Sequence, residues 1–186
     1  MEEVEITAGR LHLRPFRAGD AAAVYAACQD PEIQRWTQVP SPYGPEDART
    51  FVAEIAPGRW ADGTGATFAI LDATSGDLLG TIGLEGIGPA GDTAEIGYWM
   101  AAPARRRGVM AQAAGVVCRW GFAQLGLARI TWCCLEGNVA SRAVAIKVGF
   151  RVDPVTRAGV LRRDGRRRLW VGELTPADLD RAAATA

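Results

Sequence analysis

The sequence predicts a mixed α/β fold, an α+β arrangement in which a mostly antiparallel central sheet is flanked by helices. Two observations predict it. Residues 66–101 form three segments of period-two hydrophobicity separated by short turn-forming runs, and from Pro103 the apolar spacing becomes helical before a further strand. There is also no internal repeat and no linker-like stretch, so residues 1–186 are expected to form one domain.

The elements follow in order. "RLHLRPF" (10–16) alternates as a strand does and ends at Pro15. "GDAAAVYAACQD" (19–30) is a short helix, with Asp20 placed as its N-cap and Pro31 as its stop. The prolines and glycine of "RWTQVPSPYGP" (35–45) predict a loop, and 46–55 a second helix closed by Pro57 and Gly58. "ATFAILDA", "LLGTIGLEGI" and "TAEIGYWMA" are strands joined by the turns "TSGD" and "GPAGD", which makes an antiparallel meander. Met110, Ala114, Val117, Gly121 and Leu125 then share one helical stripe, with Ala113, Val116, Trp120 and Ala123 on the next. Arg119 is the only charge between Met110 and Leu125, so this helix should be buried on several sides. "GLARITWCCLE" reads as a central strand, 138–148 as a helix closed by Gly149, and "GFRVDP" and "RRLWVGEL" as final strands around an arginine-rich turn. "TPADLDRAAATA" is a short helix or frayed tail.

Composition narrows the function. The chain is 48% apolar and 23% charged, with 21 basic and 21 acidic residues, so no overall field draws it to nucleic acid. Lys147 is the only lysine; every other basic residue is arginine. Cys28, Cys118, Cys133 and Cys134 contain no CxxC spacing, so reduced core thiols are expected, with no metal site and no disulfide framework. "MEEVEITAGR" lacks the apolar segment of a signal peptide, and no run nears a membrane span in length. A soluble, cytoplasmic protein is the expectation, without a membrane or direct nucleic-acid partner, and a homodimer is an admissible assembly.

The stretch "PARRRGVMAQAAGVV" (103–117) crowds three arginines and a glycine against the start of the apolar helix. Helix N-termini present backbone N–H groups and partial positive charge, which suits a phosphate. Gly108 removes a side chain where such a group would press on the backbone, and Arg105, Arg106 and Arg107 add charge at the rim. A solvated helix start with incidental arginines would leave the same pattern. The Gly-Lys-Ser/Thr ending of an ATP loop is absent, and so is GxGxxG.

At this point the chain resembles the GNAT acyltransferases. Their acyl-CoA loop, Arg/Gln-x-x-Gly-x-Gly/Ala, is matched by Arg105 and Gly108, with Met110 at the usual small position and Gln112 where many relatives have Glu. "AEIGYWM" is similar to the "EIGYWL" strand of the branch that holds the RimJ and RimL ribosomal-protein N-terminal acetyltransferases. "EGNVASRAVAIKVGFR" (136–151) and "RLHLRPFRAGDAAAVY" resemble two further segments of that branch. The resemblance implies a GNAT fold, with two central parallel strands splayed to admit the pantetheine arm of acetyl-CoA as co-substrate and no metal. It places the pyrophosphate on the N–H groups of residues 105–110, and Arg105, Arg106, Arg107, Gly108, Val109, Met110 and Ala111 among the cofactor-binding residues. The arm would lie beside Trp99 and Met100, and a backbone N–H in 97–100 would hold the developing oxyanion. Asn138 inherits the contact to the arm, and Ser141 the hydrogen bond to the leaving thiolate. Cap and first-turn roles would explain both residues equally simply.

Glu85 is the first candidate base, with Glu95 its competitor; either reads also as a solvated strand carboxylate. His12, between Leu11 and Leu13, points away from the core and is set aside. Trp36, Tyr43 and Trp60 are candidates to wall the acceptor groove, or equally buried hinges of the two N-terminal helices, while Trp99, Trp120, Trp132 and Trp170 read mostly as core. The implied activity is transfer of acetyl from acetyl-CoA to a primary amine, foremost a protein N-terminus. Alternatives are a small-molecule amine as acceptor, or a non-catalytic acyl-CoA-binding module.

Overall fold

The computed structural model describes residues 1–88, 91–155, 157–162 and 165–184, with backbone alone at 157–162, 165 and 166. Strands β1 (Ile6–Ala8), β2 (Leu11–Pro15), β3 (Gly65–Asp72), β4 (Leu78–Glu85) and β5 (Thr93–Met100) pair successively and antiparallel. Strand β6 (Arg129–Leu135) lies parallel to β5; β9 (Gly165–Leu174) pairs antiparallel with β6, and β7 (Arg151–Val152) and β8 (Arg157–Arg162) both pair with β9. The expected antiparallel meander and mostly antiparallel sheet are therefore present. Parts of the two glycine- and arginine-rich turns, Pro89, Ala90, Arg163 and Asp164, lie outside the described residues, as do Thr185 and Ala186 at the end of the tail.

Helix α5 (Val109–Gln124) covers one face of the sheet. Its Met110, Ala113, Ala114, Val117 and Cys118 pack into a core with Phe68, Ile82, Leu84, Ile96 and Trp132. Close approach depends on Gly121, where a Cβ would stand 2.7 Å from Leu84 Cδ1. Two further helices follow, α6 (Val139–Val148) and α7 (Pro176–Ala184), the second held at its start by Asp178, which accepts from the Thr175 amide and hydroxyl at 3.1 and 2.7 Å. A second core on the opposite face joins Phe16, Val24, Ile33, Tyr43, Val52 and Trp99. It is built from α1 (Ala21–Cys28), α2 (Pro31–Trp36), α3 (Pro45–Thr50) and α4 (Ala56–Asp62).

Three expectations for this second face are corrected or refined. Asp20 stands at the N-cap position of α1 but makes no cap hydrogen bond to that helix. It closes a preceding 3₁₀ turn, Ala18–Asp20, by accepting from the Arg17 amide at 2.7 Å. Pro31 is not only a stop: α1 ends before it, at Cys28, but the same proline begins α2, with Asp30 as N-cap accepting from the Glu32 amide at 2.9 Å; proline is well suited to a first helical turn. Pro57 does not close the second helix. Between α3 and α4 the chain makes a π turn, Phe51–Ile55, in which the Ala56 amide reaches back to the Phe51 carbonyl. The wider turn accommodates a residue that has no N–H and a ring that crowds the turn before it.

Strand β2 is tied to the first of these helices by a nearly dry ion pair. Arg14 Nη1 and Nη2 lie 2.8 Å from the two Asp20 oxygens, with the side chains only 10% and 12% exposed. Burial pushes the Asp20 carboxyl up, but the hydrogen bonds from Arg14 and the Arg17 amide outweigh it and hold the group below its ordinary value. A depressed carboxyl stabilises the fold above the unfolded-state pKa and loses that contribution as pH falls through the folded value. Asp20→Ala, which strands the Arg14 guanidinium, should therefore cost about 2–4 kcal/mol in urea melts at neutral pH. The gap from wild type should narrow at about pH 3, and a gap that stays constant with pH would contradict this assignment.

Candidate functional site

The site begins where the sheet comes apart. Strands β5 and β6 pair only from Thr93 opposite Arg129 to Ile96 opposite Trp132. Both continue, β5 to Met100 against β4 and β6 to Leu135 against β9, but no longer against each other. Backbone groups of alternate residues point to opposite sides of a strand. The Ala101 amide bonds to the Leu79 carbonyl across β4, and the Ala94 carbonyl accepts from Thr131 of β6. The polar backbone groups of Tyr98 and Met100 therefore face the gap that β6 leaves. An extended chain that offers amides can lie along this edge.

Below the gap, the chain turns through Arg105 and Arg106 into α5. Arg106 (φ 61°) and Gly108 (φ 75°) both adopt left-handed backbone, and Gly108 serves as N-cap. After the Arg105 amide, which bonds the Ala102 carbonyl at 3.3 Å, the next amide with a protein acceptor is that of Gln112, which bonds the Gly108 carbonyl at 3.1 Å. Among the described residues the amides of 106–111 have none, so six successive donors lie at the positive end of a sixteen-residue helix. Arg106 and Arg107 are exposed at the rim, and Lys147 of α6 borders the same groove together with Gly108 and Ala111. Val109 and Met110 turn their side chains into the core. A di-anion can be seated here by backbone and rim charge together.

Arg105 does not join the rim. Its Nε and Nη2 donate to the Met100 carbonyl at 3.1 and 2.9 Å, and Nη2 stands 2.6 Å from Asp30 Oδ2 as an ion pair without aligned hydrogen-bond geometry. The Trp99 indole is buried in the second core, on the face opposite Tyr98, in line with its reading as core.

On the α6 side of the gap, Asn138 caps the helix by accepting from the Ser141 amide at 3.1 Å. Ser141 Oγ shares a hydrogen bond with Tyr98 Oη at 3.1 Å, and Trp132 Nε1 donates to both oxygens at 3.1 Å. Burial raises the Tyr98 hydroxyl to about 12, so it remains neutral and can donate. Trp132 N–H is donor only, which leaves the Ser141 proton for Tyr98 or for a group in the gap.

A cavity of about 1130 Å³ runs from this cluster through the gap to the other face of the sheet. There it is bordered by Trp36, Tyr43, Phe51 and Ile55, by Arg59, and by Glu85 and Glu95, which stand opposite each other on β4 and β5. The Glu85 carboxylate is bound by Arg59, and Glu95 accepts from the Cys133 thiol at 3.2 Å. Of the three aromatics expected on this wall, Trp60 is absent. It packs edge-on to Phe68 and donates to the Thr67 carbonyl at 3.0 Å inside the first core. His12 is half-buried on β2, 3.1 Å from Glu5 and away from the cavity.

Four participants escaped sequence reasoning: Tyr98, Trp132, Arg59 and Lys147. Lys147 had a signal, because Ala140, Ser141, Val144 and Lys147 recur on one face of α6 and all border the cavity. Trp132 reads as core, and it is core, yet its N–H is turned toward Ser141. Among the described residues no group of three or more histidine, cysteine or carboxylate side chains is placed to hold a metal, and no helix is long and apolar enough to cross a membrane.

Comparison with known proteins agrees with this geometry. The family described as "Acetyltransferase (GNAT) domain" matches residues 10–151. The Bacillus subtilis protein named "Uncharacterized N-acetyltransferase YoaA" is 29% identical over 148 residues, 80% of this chain and 83% of its own length. Among solved structures, the RimL ribosomal α-N-protein acetyltransferase in complex with coenzyme A superimposes with a TM-score of 0.82 at 18% identity, covering 96% of this chain and 100% of that one. The microcin self-immunity acetyltransferase MccE, in complex with acetyl-CoA and AMP, gives 0.79 at 19% identity, covering 90% and 93%. At these identities the two structures speak to the fold.

The thiols allow an independent check of the site. Burial raises Cys133 and Cys134, which border the gap, to about 12, Glu95 adding to the effect at Cys133. From an ordinary thiol, that rise cuts the thiolate fraction near pH 8 by about a thousandfold. Iodoacetamide should modify the native protein very slowly, Cys133 first, and all four cysteines rapidly in urea. Prompt labelling of Cys134 in the native state would show a reactive thiol that this geometry does not provide.

Proposed function

The chain belongs to the acetyltransferase (GNAT) family, whose members are acetyl-CoA-dependent N-acetyltransferases, and we propose that its acceptor is a primary amine, foremost the α-amine of a protein N-terminus. The observation that carries this reading is the fork of β5 from β6, which ends on a run of free amides and connects the two faces of the sheet. In this reading the amides of 106–111, with Arg106, Arg107 and Lys147, hold the diphosphate of acetyl-CoA. The edge of β5, through the backbone of Tyr98 and the N–H of Met100, pairs with the pantetheine amides, and Asn138 borders the arm. A backbone N–H on that edge faces the thioester oxygen, where negative charge develops as the amine attacks. Ser141, oriented by Tyr98 and Trp132, donates to the departing thiolate.

Direct attack fits the chemistry of the gap, since its cysteines are held as neutral thiols and are poor nucleophiles at neutral pH. On the acceptor side, Glu85 and Glu95 place negative charge where an ammonium group would arrive, and Trp36, Phe51 and Ile55 supply apolar wall for the residue behind it. An α-amine loses its proton near pH 8, whereas a lysine side chain does so near about 10.4. A weakly basic carboxylate or a path to water therefore suffices for the N-terminal acceptor, which is why that class is preferred to a lysine side chain.

Three measurements test the reading. Arg106→Glu should weaken coenzyme A binding by roughly tenfold or more in calorimetry, because it reverses a charge beside the anion seat; unchanged affinity would remove the seat. Ser141→Ala should lower kcat by roughly ten- to a hundredfold with little change in coenzyme A affinity; wild-type turnover would remove its role. Thiol release should be seen with peptides bearing free N-termini. Turnover on free amino acids or polyamines alone would move the acceptor to small molecules, and stabilisation by acetyl-CoA without turnover on any amine would identify a binding module.

A further inference from the structure

We infer that Arg105 and Asp30 form a positioning strut that couples the cofactor loop to the acceptor wall, so that coenzyme A bound at one end of the cavity orders helix α2 at the other. This rests on the proposed use of the 106–111 amides for the cofactor. Four observations support it. First, the Arg105 guanidinium is turned inward, away from the seat its sequence position suggested, and only a third of the side chain is exposed. Second, it satisfies the Met100 carbonyl, a backbone group on the edge that β6 has abandoned, with two donors at 3.1 and 2.9 Å. Third, its partner Asp30 divides its two oxygens: Oδ2 meets Arg105 at 2.6 Å and Oδ1 caps α2 through the Glu32 amide at 2.9 Å. Fourth, α2 is a six-residue helix, too short to hold itself, and it carries Ile33 and Trp36 to the cavity.

The mechanical logic follows from those contacts. Arg105 immediately precedes Arg106, whose left-handed backbone opens the amide run. An anion that draws those amides together fixes the backbone at Arg105, and the guanidinium transmits the constraint to Asp30. Asp30 Oδ2 is fully buried, so an Arg105 that swings outward strands a carboxylate oxygen in the interior. The pair therefore has one favourable arrangement, in which loop and wall are both in place. Ordering α2 once, on the arrival of the first ligand, lowers the cost of binding the second.

The test uses the full chain with coenzyme A as the probe. Asp30→Asn keeps a competent N-cap through its remaining oxygen and removes both the charge and the acceptor that face Arg105. It should leave coenzyme A affinity within about twofold of wild type, raise KM for the amine acceptor about fivefold or more, and leave kcat at saturation little changed. Hydrogen exchange reads the coupling without turnover: coenzyme A should slow exchange of the amides of 32–36 in wild type and not in Asp30→Asn. Arg105→Gln should do the same, and the double variant should be no worse than either single one. The strut is overturned if Arg105→Gln weakens coenzyme A as much as Arg106→Glu, which would make Arg105 an anion ligand. It is also overturned if the two single effects simply add, or if 32–36 exchange identically with and without coenzyme A in wild type. If coenzyme A is bound and 32–36 respond but no amine is acetylated, the strut stands and the proposed acceptor falls.

Discussion

The structure depends on a parallel pairing that is allowed to fail. Strand β5 shares four residues with β6 and then parts from it, although each keeps its antiparallel partner on the other side. An open backbone edge inside a protein is normally a liability, because unpaired N–H and C=O groups there lose their water without gaining a partner. Here the exposed groups are few and fall in a cavity. One of them, the Met100 carbonyl, is already taken by Arg105. Tight packing elsewhere keeps the fork from closing: α5 rests on β4 through Gly121, and α6 is anchored across the gap by Ser141, Tyr98 and Trp132.

Much of this was legible in the residues, and what was not has a physical explanation. The meander, the buried helix and its glycine-led start are local patterns, and local patterns survive into the fold. The inward turn of Arg105 was hidden because its partner, Asp30, belongs to another element far upstream, and nothing in the arginine cluster distinguishes one member from the next. Pro57 misled for a related reason, and the new helix that Pro31 begins went unread. Proline stops a regular helix from continuing, but it starts a new one readily and is accommodated where the turn widens. Trp60 and Trp132 are both buried tryptophans, and only the direction of the indole N–H separates a core residue from one beside the site.

The chain carries as many acidic as basic residues, yet the cavity is not neutral along its length. Arg106, Arg107 and Lys147 gather at one end with the helix amides, and Glu85 and Glu95 stand at the other with a single arginine between them and the aromatic wall. A protein whose charges cancel overall can thus present opposite signs at its two mouths. Long-range attraction toward arbitrary polyanions or polycations is small, since the far field vanishes with the total. Near each opening the local field persists within a Debye length of about 8–10 Å. In the proposed reaction, an anionic cofactor and a cationic acceptor would thus each meet local charge of opposite sign at its own end of the cavity.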